Sequence, residues 1–80
     1  MTLDIITPIK TIYSGEVQLV QVPGTKGAFQ ILKNHAPIIS TLKKGEIRVV
    51  DTNNLDTSFD ISSGIVEVSK NVITILAEQS

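Results

Sequence analysis

Eighty residues carry seven Lys and Arg against eight Asp and Glu, a net charge of −1, with no cysteine and one histidine. That balance excludes a disulfide framework, a thiolate metal site and long-range attraction of nucleic acid. A chain this short buries about 60–65% of its unfolded surface, so residues 1–80 are expected to form one domain with one thin core.

Ile, Val and Thr together make 28 of the 80 residues and Ala only three. β-Branched side chains lose rotamer freedom in helices and pack well on pleated sheets. Glycines and prolines punctuate the chain at short intervals, which predicts an all-β sandwich or barrel. The opening, Met1-Thr2-Leu3-Asp4, has an acid where a signal peptide needs bases. No apolar run approaches the roughly 20 residues of a membrane span. The reading is a soluble protein, without direct membrane insertion, held at a membrane only by a partner.

Leu3–Ile6 reads as a first strand stopped by Thr7-Pro8, and Lys10–Tyr13 as a second ended by Ser14-Gly15. Glu16–Val22 is the third. Val17 and Leu19 share one face while Val20 and Val22 fall on the other, a slip that a bulge or burial on both faces explains. Pro23–Gly27 is expected to turn, Ala28–Leu32 to extend, and Lys33-Asn34 to turn again; the glycines can take positive φ and Asn34 tolerates it. Residues 37–42 are extended and Lys43–Glu46 returns the chain. Ile47–Val50 and Thr57–Ile61 form a hairpin around the polar tip Asp51–Asp56. Ile65–Ser69 and Val72–Leu76 form the last, turning at Lys70-Asn71. Apolar groups on both faces of Val72–Leu76 predict a strand that is central or covered on both sides.

The chemistry of sites is sparse. His35 has no nucleophile elbow near it and supplies at most one imidazole, so it reads as a loop residue shaping a surface. Asp51–Asp56 starts like a calcium loop, but Leu55 stands where an oxygen ligand is needed and the central glycine and final glutamate are missing. In Gly24-Thr25-Lys26-Gly27 the lysine precedes the glycine and a strand follows, the reverse of a phosphate-binding loop. Lys43-Lys44 reads as a solvent-facing turn. Tyr13, Phe29 and Phe59 are too scattered for a base-stacking platform. No cofactor, metal or catalytic residue is expected. Apolar residues in excess of what a thin sandwich covers point to burial against a partner.

The ordered set Ile5-Ile6-Thr7-Pro8, Tyr13-Ser14-Gly15-Glu16-Val17, Val22-Pro23-Gly24, Gly27-Ala28-Phe29, Ile31-Leu32 and His35-Ala36-Pro37 resembles the epsilon-subunit family of F-type ATP synthases. Leu42-Lys43, Gly45, Ile47-Arg48, Gly64–Val68 and Val72–Ala77 continue it, so the resemblance covers essentially the whole chain. It implies a ten-stranded sandwich of two five-stranded sheets. It also implies a non-catalytic central-stalk (rotor) subunit that joins the gamma subunit to the c-ring, for ATP synthesis coupled to proton transport. The implied location is peripheral, on the cytoplasmic side of a bacterial membrane. By the same resemblance Thr25, Lys26, Gly27 and Ala28 face the polar loops of the c-ring. His35, Ala36, Pro37, Ile38, Ile39, Ser40, Thr41, Leu42 and Lys43 lie near gamma. Departures are Lys33-Asn34 for a Pro-Gly, Ala28 for a common acid and Ser63 for a frequent glycine. Family members usually continue into two C-terminal helices, where this sequence stops at Glu78-Gln79-Ser80; no ATP binding is expected without them. The alternative is a ligand-binding or adaptor sandwich outside the synthase.

Overall fold

Among the described residues, eight strands run in the order β1 (Thr2–Ile6), β2 (Thr11–Gly24), β3 (Gly27–Leu32), β4 (Ile38–Leu42), β5 (Gly45–Asp51), β6 (Asp56–Ile61), β7 (Ser63–Ser69) and β8 (Val72–Glu78). They belong to a computed structural model describing Met1–Gln79; Ser80, the last residue expected in the sandwich, lies outside the described residues.

The expected ten strands are eight, chiefly because Ser14-Gly15 does not end a strand. Ser14 pairs with Asp4 and Gly15 with Leu3, and the Ser14 hydroxyl donates to Asp4 Oδ1 at 2.6 Å. A local turn signal yields where a neighbouring strand satisfies the backbone. β2 is therefore 14 residues long and serves two layers. Its first half pairs with β1, and its second half pairs with β3 and β5. One layer runs β2 (first half)–β1–β8–β7–β4, with β1 and β8 parallel; the other runs β3–β2 (second half)–β5–β6. Five strands thus face four, with β2 counted in both.

The slip in β2 is a bulge. Val17 pairs with Asp51 and Leu19 with Val50, which leaves Gln18 unpaired and lets Val17 and Val20 both turn inward. Gln18 Nε2 donates to the Asp51 carbonyl at 2.8 Å and to Asn54 Oδ1. Leu3, Ile5, Leu42, Val66, Val68, Ile73, Ile75 and Ala77 come from the first layer. Val17, Val20, Val22, Ile31, Ile47, Val49 and Ile61 come from the second, and together they form the core. Tyr13 and Phe59 close one side edge to face, with ring centroids 5.8 Å apart. Burial there, with the Asp51 carboxylate adding, pushes the Tyr13 hydroxyl pKa up.

β8 is central in its layer, as expected. Only its inner face is covered: Ile73, Ile75 and Ala77 are buried while Val72 and Leu76 stand about half exposed. The turns behave as their residues require. Lys70 and Asn71 have φ of 51° and 63°, which fits a two-residue turn that matches the twist of its strands. Gly27 and Asn34 have φ of 134° and 65°. The turn expected over Pro23–Gly27 shrinks to Thr25-Lys26, because Pro23 and Gly24 stay in the ladder opposite Ala28 and Gly27.

Candidate partner-docking surface

The hairpin joining β2 to β3 holds Thr25, Lys26, Gly27 and Ala28, all exposed. Gly24 lets its two arms close, since a Cβ there would stand 2.6 Å from the Gly27 carbonyl oxygen. The tip is tied to the end of β4. The Thr25 amide donates to the Thr41 carbonyl at 3.1 Å, the two threonine hydroxyls lie 2.9 Å apart, and the Lys43 amide donates to the Pro23 carbonyl at 2.9 Å. Two segments about 15 residues apart in sequence thereby become one surface. A groove of about 670 Å³ runs between Gly24–Phe29 and Ile38–Thr41, and Ile39 is 71% exposed on its wall.

Not every expected residue joins it. Leu42 turns into the core at 3% exposure. His35, Ala36 and Pro37 sit at the far end of β3, where the His35 amide donates to the Leu32 carbonyl at 3.0 Å. His35 Nδ1 lies 2.7 Å from the Ala36 carbonyl oxygen, which can only accept, so this nitrogen carries the proton. That hydrogen bond shapes the loop. Asn34 and Asn71 clamp the loop to the β7–β8 turn: the Asn34 amide donates to Asn71 Oδ1 at 2.7 Å and Asn71 Nδ2 donates to Asn34 Oδ1 at 3.1 Å. The Asp51 side chain also builds local structure. Its Oδ1 accepts from the amides of Asn53 at 2.8 Å and Leu55 at 3.0 Å, so Asp51–Asp56 is a hairpin tip.

Sequence reasoning missed a second surface, on the outer face of the five-stranded layer. Ile6, Leu76, Ile65 and Thr41 stand side by side across β1, β8, β7 and β4. They floor part of a trough of about 650 Å³ that Thr7 and Pro8 border. Alternation in Val72–Leu76 flagged an extra apolar face, but the row exists only through strand register. Around it stand Asp4, Glu16, Glu67 and Glu78, and none of these strand segments contains a lysine or arginine.

Comparison with known proteins gives a consistent picture. Residues 1–80 match the family described as "ATP synthase, Delta/Epsilon chain, beta-sandwich domain". The chain is 44% identical over 78 residues to the ATP synthase epsilon chain of Chlorobaculum tepidum, covering 98% of itself and 89% of that relative. It is 46% identical over 76 residues to that of Chlorobium limicola, covering 95% and 86%. It is also similar to the longer epsilon chain of Campylobacter lari, 40% identical over 78 residues, of which it spans 60%. A chain of the Euglena gracilis mitochondrial ATP synthase shares the fold with a TM-score of 0.87 at 19% identity, over 94% of this chain and 48% of that one. A chain of the Tetrahymena thermophila mitochondrial ATP synthase central stalk and c-ring does so with a TM-score of 0.83 at 16% identity, over 99% and 63%.

Proposed function

Since this chain belongs to the ATP synthase delta/epsilon β-sandwich family, we propose that it is a non-catalytic subunit of the central stalk of an F-type ATP synthase, joining the gamma subunit to the c-ring. Residues 1–80 act as one sandwich domain, and the complex holds them at the cytoplasmic side of a bacterial membrane. The observation that carries the reading is the fastening of Thr25–Ala28 to Ile38–Thr41 through Thr25–Thr41 and Pro23–Lys43. Under this reading, the c-ring-facing turn and the gamma-facing strand lie on one rigid support.

The mechanism is mechanical. Torque passes between two partners without slip only if the body between them does not shear. Here β2 runs through both layers, and a continuous path of pairing links β1, β8, β7, β4 and β2 back to β1. Sliding one layer over the other would break backbone hydrogen bonds as well as core contacts. The chain contributes stiffness, and no chemical step is asked of it.

Mixing the protein with purified gamma subunit at micromolar concentration and resolving the mixture by size exclusion tests this. A co-eluting complex is expected; two separate peaks would overturn the reading.

A further inference from the structure

The groove between β3 and β4 is bordered by two strands that differ from all the others. β1, β2, β5, β6, β7 and β8 each contain at least one charged residue; Gly27–Leu32 and Ile38–Leu42 contain none. Charged residues within an edge strand are a common guard against pairing with another chain. β6, the opposite edge of the same layer, has such a guard in Asp56 and Asp60. β3 pairs with β2 alone among the described residues, and β4 meets β2 only at Gly24–Leu42. Basic charge stands at the ends of these strands. Lys26 and Lys33 bracket β3, Lys43 and Lys44 follow β4, and all four are exposed. Lys26 lines the groove itself, Lys33 stands just past the far end of β3, and Lys43 is held beside the groove by its amide bond to Pro23.

We infer that the free edge of β3 receives an extended segment of a partner protein by strand addition. The occupant is an uncharged stretch with a carboxylate at each end. β3 has six residues, about 20 Å of strand, so the two carboxylates stand some 20–24 Å apart to meet Lys26 and Lys33. Main-chain hydrogen bonds to the β3 edge supply affinity, Ile39 and Phe29 offer apolar contact, and the lysine rim selects the sign of the flanks. This rests on the proposed function and deepens it: the occupant belongs to the gamma subunit, whose contact would extend from the His35–Lys43 segment across the seam to Lys26, at the border of the c-ring-facing turn.

Amide hydrogen exchange of the full chain, alone and with the gamma subunit, tests it. Amides within Gly27–Leu32 are expected to slow at least tenfold in the complex. The double substitution Lys26→Glu and Lys33→Glu, at exposed sites, is expected to weaken the complex about tenfold with thermal stability unchanged. A complex that forms while exchange in Gly27–Leu32 stays as it was overturns strand addition and leaves the proposed function standing. Absence of any complex overturns the proposed function instead. An eight-residue peptide of alternating valine and threonine between terminal glutamate and aspartate then decides the edge. Slowed exchange in Gly27–Leu32 with this peptide, but not with its lysine-ended counterpart, supports the inference; no slowing with either overturns it.

Discussion

Asn34 and Asn71 each do two things at once. Both hold a left-handed backbone, which asparagine tolerates better than most residues, and each uses its side-chain amide to hold the other's turn in place. Replacing Asn34 with valine should cost roughly 1–3 kcal/mol, because a β-branched residue resists φ near 65° and the pair of hydrogen bonds loses a member. Asn34→Gly keeps the backbone and loses only the side-chain bond, so it should cost less; urea denaturation of the two variants separates strain from bonding. Gly27→Val should cost a similar 1–3 kcal/mol through φ alone, since nothing lies within 4 Å of the added Cβ. These turns were legible in the sequence because Gly and Asn carry their reason locally. The clamp between them was not, since 37 residues separate its members. Glu16 supplies a pH dependence. The Thr2 hydroxyl donates to its carboxylate at 2.7 Å and, with a smaller contribution from the chain's terminal ammonium, holds its pKa below the usual value. A carboxylate with a depressed folded pKa stabilises the fold above its unfolded pKa of about 4.3, and that contribution is lost as pH falls through the folded value. Glu16→Gln should flatten the stability profile in that acid window, measured as the urea midpoint at successive pH values, and leave the rest of the curve in place.

At the scale of elements, β2 decides the architecture. Its 14 residues must bury one face toward two differently oriented layers, and the unpaired Gln18 allows the change of parity. Deleting Gln18 would place Val17 and Val20 two positions apart, so a regular strand would still bury both, because side chains alternate with a period of two. The deletion should therefore leave a folded protein with a straighter β2. Gln18→Ala should keep the bulge and lose the side chain's bonds to Asp51 and Asn54, a cost of about 0.5–1.5 kcal/mol. Circular dichroism melts of both variants check this; a deletion variant that fails to fold would show that the bend at the bulge, beyond its parity, is required. The parity slip was visible in the order of Val17, Leu19, Val20 and Val22. The continuity of the strand was not, since Ser14-Gly15 carries a turn signal that only its pairing with Asp4 and Leu3 overrides. The same limit applies to the candidate site. The absence of charge in Gly27–Leu32 and Ile38–Leu42 can be read from the chain, but the seam between them arises from β3 and β4 ending up on one side of the sandwich.

Across the whole molecule, charge and apolar surface are sorted rather than mixed. Lysines rim the seam, while the outer face of the five-stranded layer carries Asp4, Glu16, Glu67 and Glu78 around the row Ile6–Leu76–Ile65, with Leu76 54% and Ile65 45% exposed. An apolar row of this kind attracts a second copy of the same face, and the surrounding carboxylates repel it. The two effects differ in range. At an ionic strength of 0.1 M the screening length is about 10 Å, so facing carboxylates feel each other before the apolar rows touch; at 1 M and above it is about 3 Å or less and the repulsion survives only at contact. Apolar burial, by contrast, is strengthened by salts excluded from the surface. The isolated chain should therefore sediment as a monomer at neutral pH and low salt, and shift toward a dimer in 1 M ammonium sulfate. Leu76→Thr, at the centre of the row, should abolish the shift while leaving the melting temperature within a few degrees, because β8 keeps its inward Ile73, Ile75 and Ala77. A dimer already present at low salt would mean that the carboxylates do not guard this face. A salt-induced dimer that persists in Leu76→Thr would place the self-association elsewhere, on the unguarded β3 edge, where Gln30→Lys would then be the substitution that removes it.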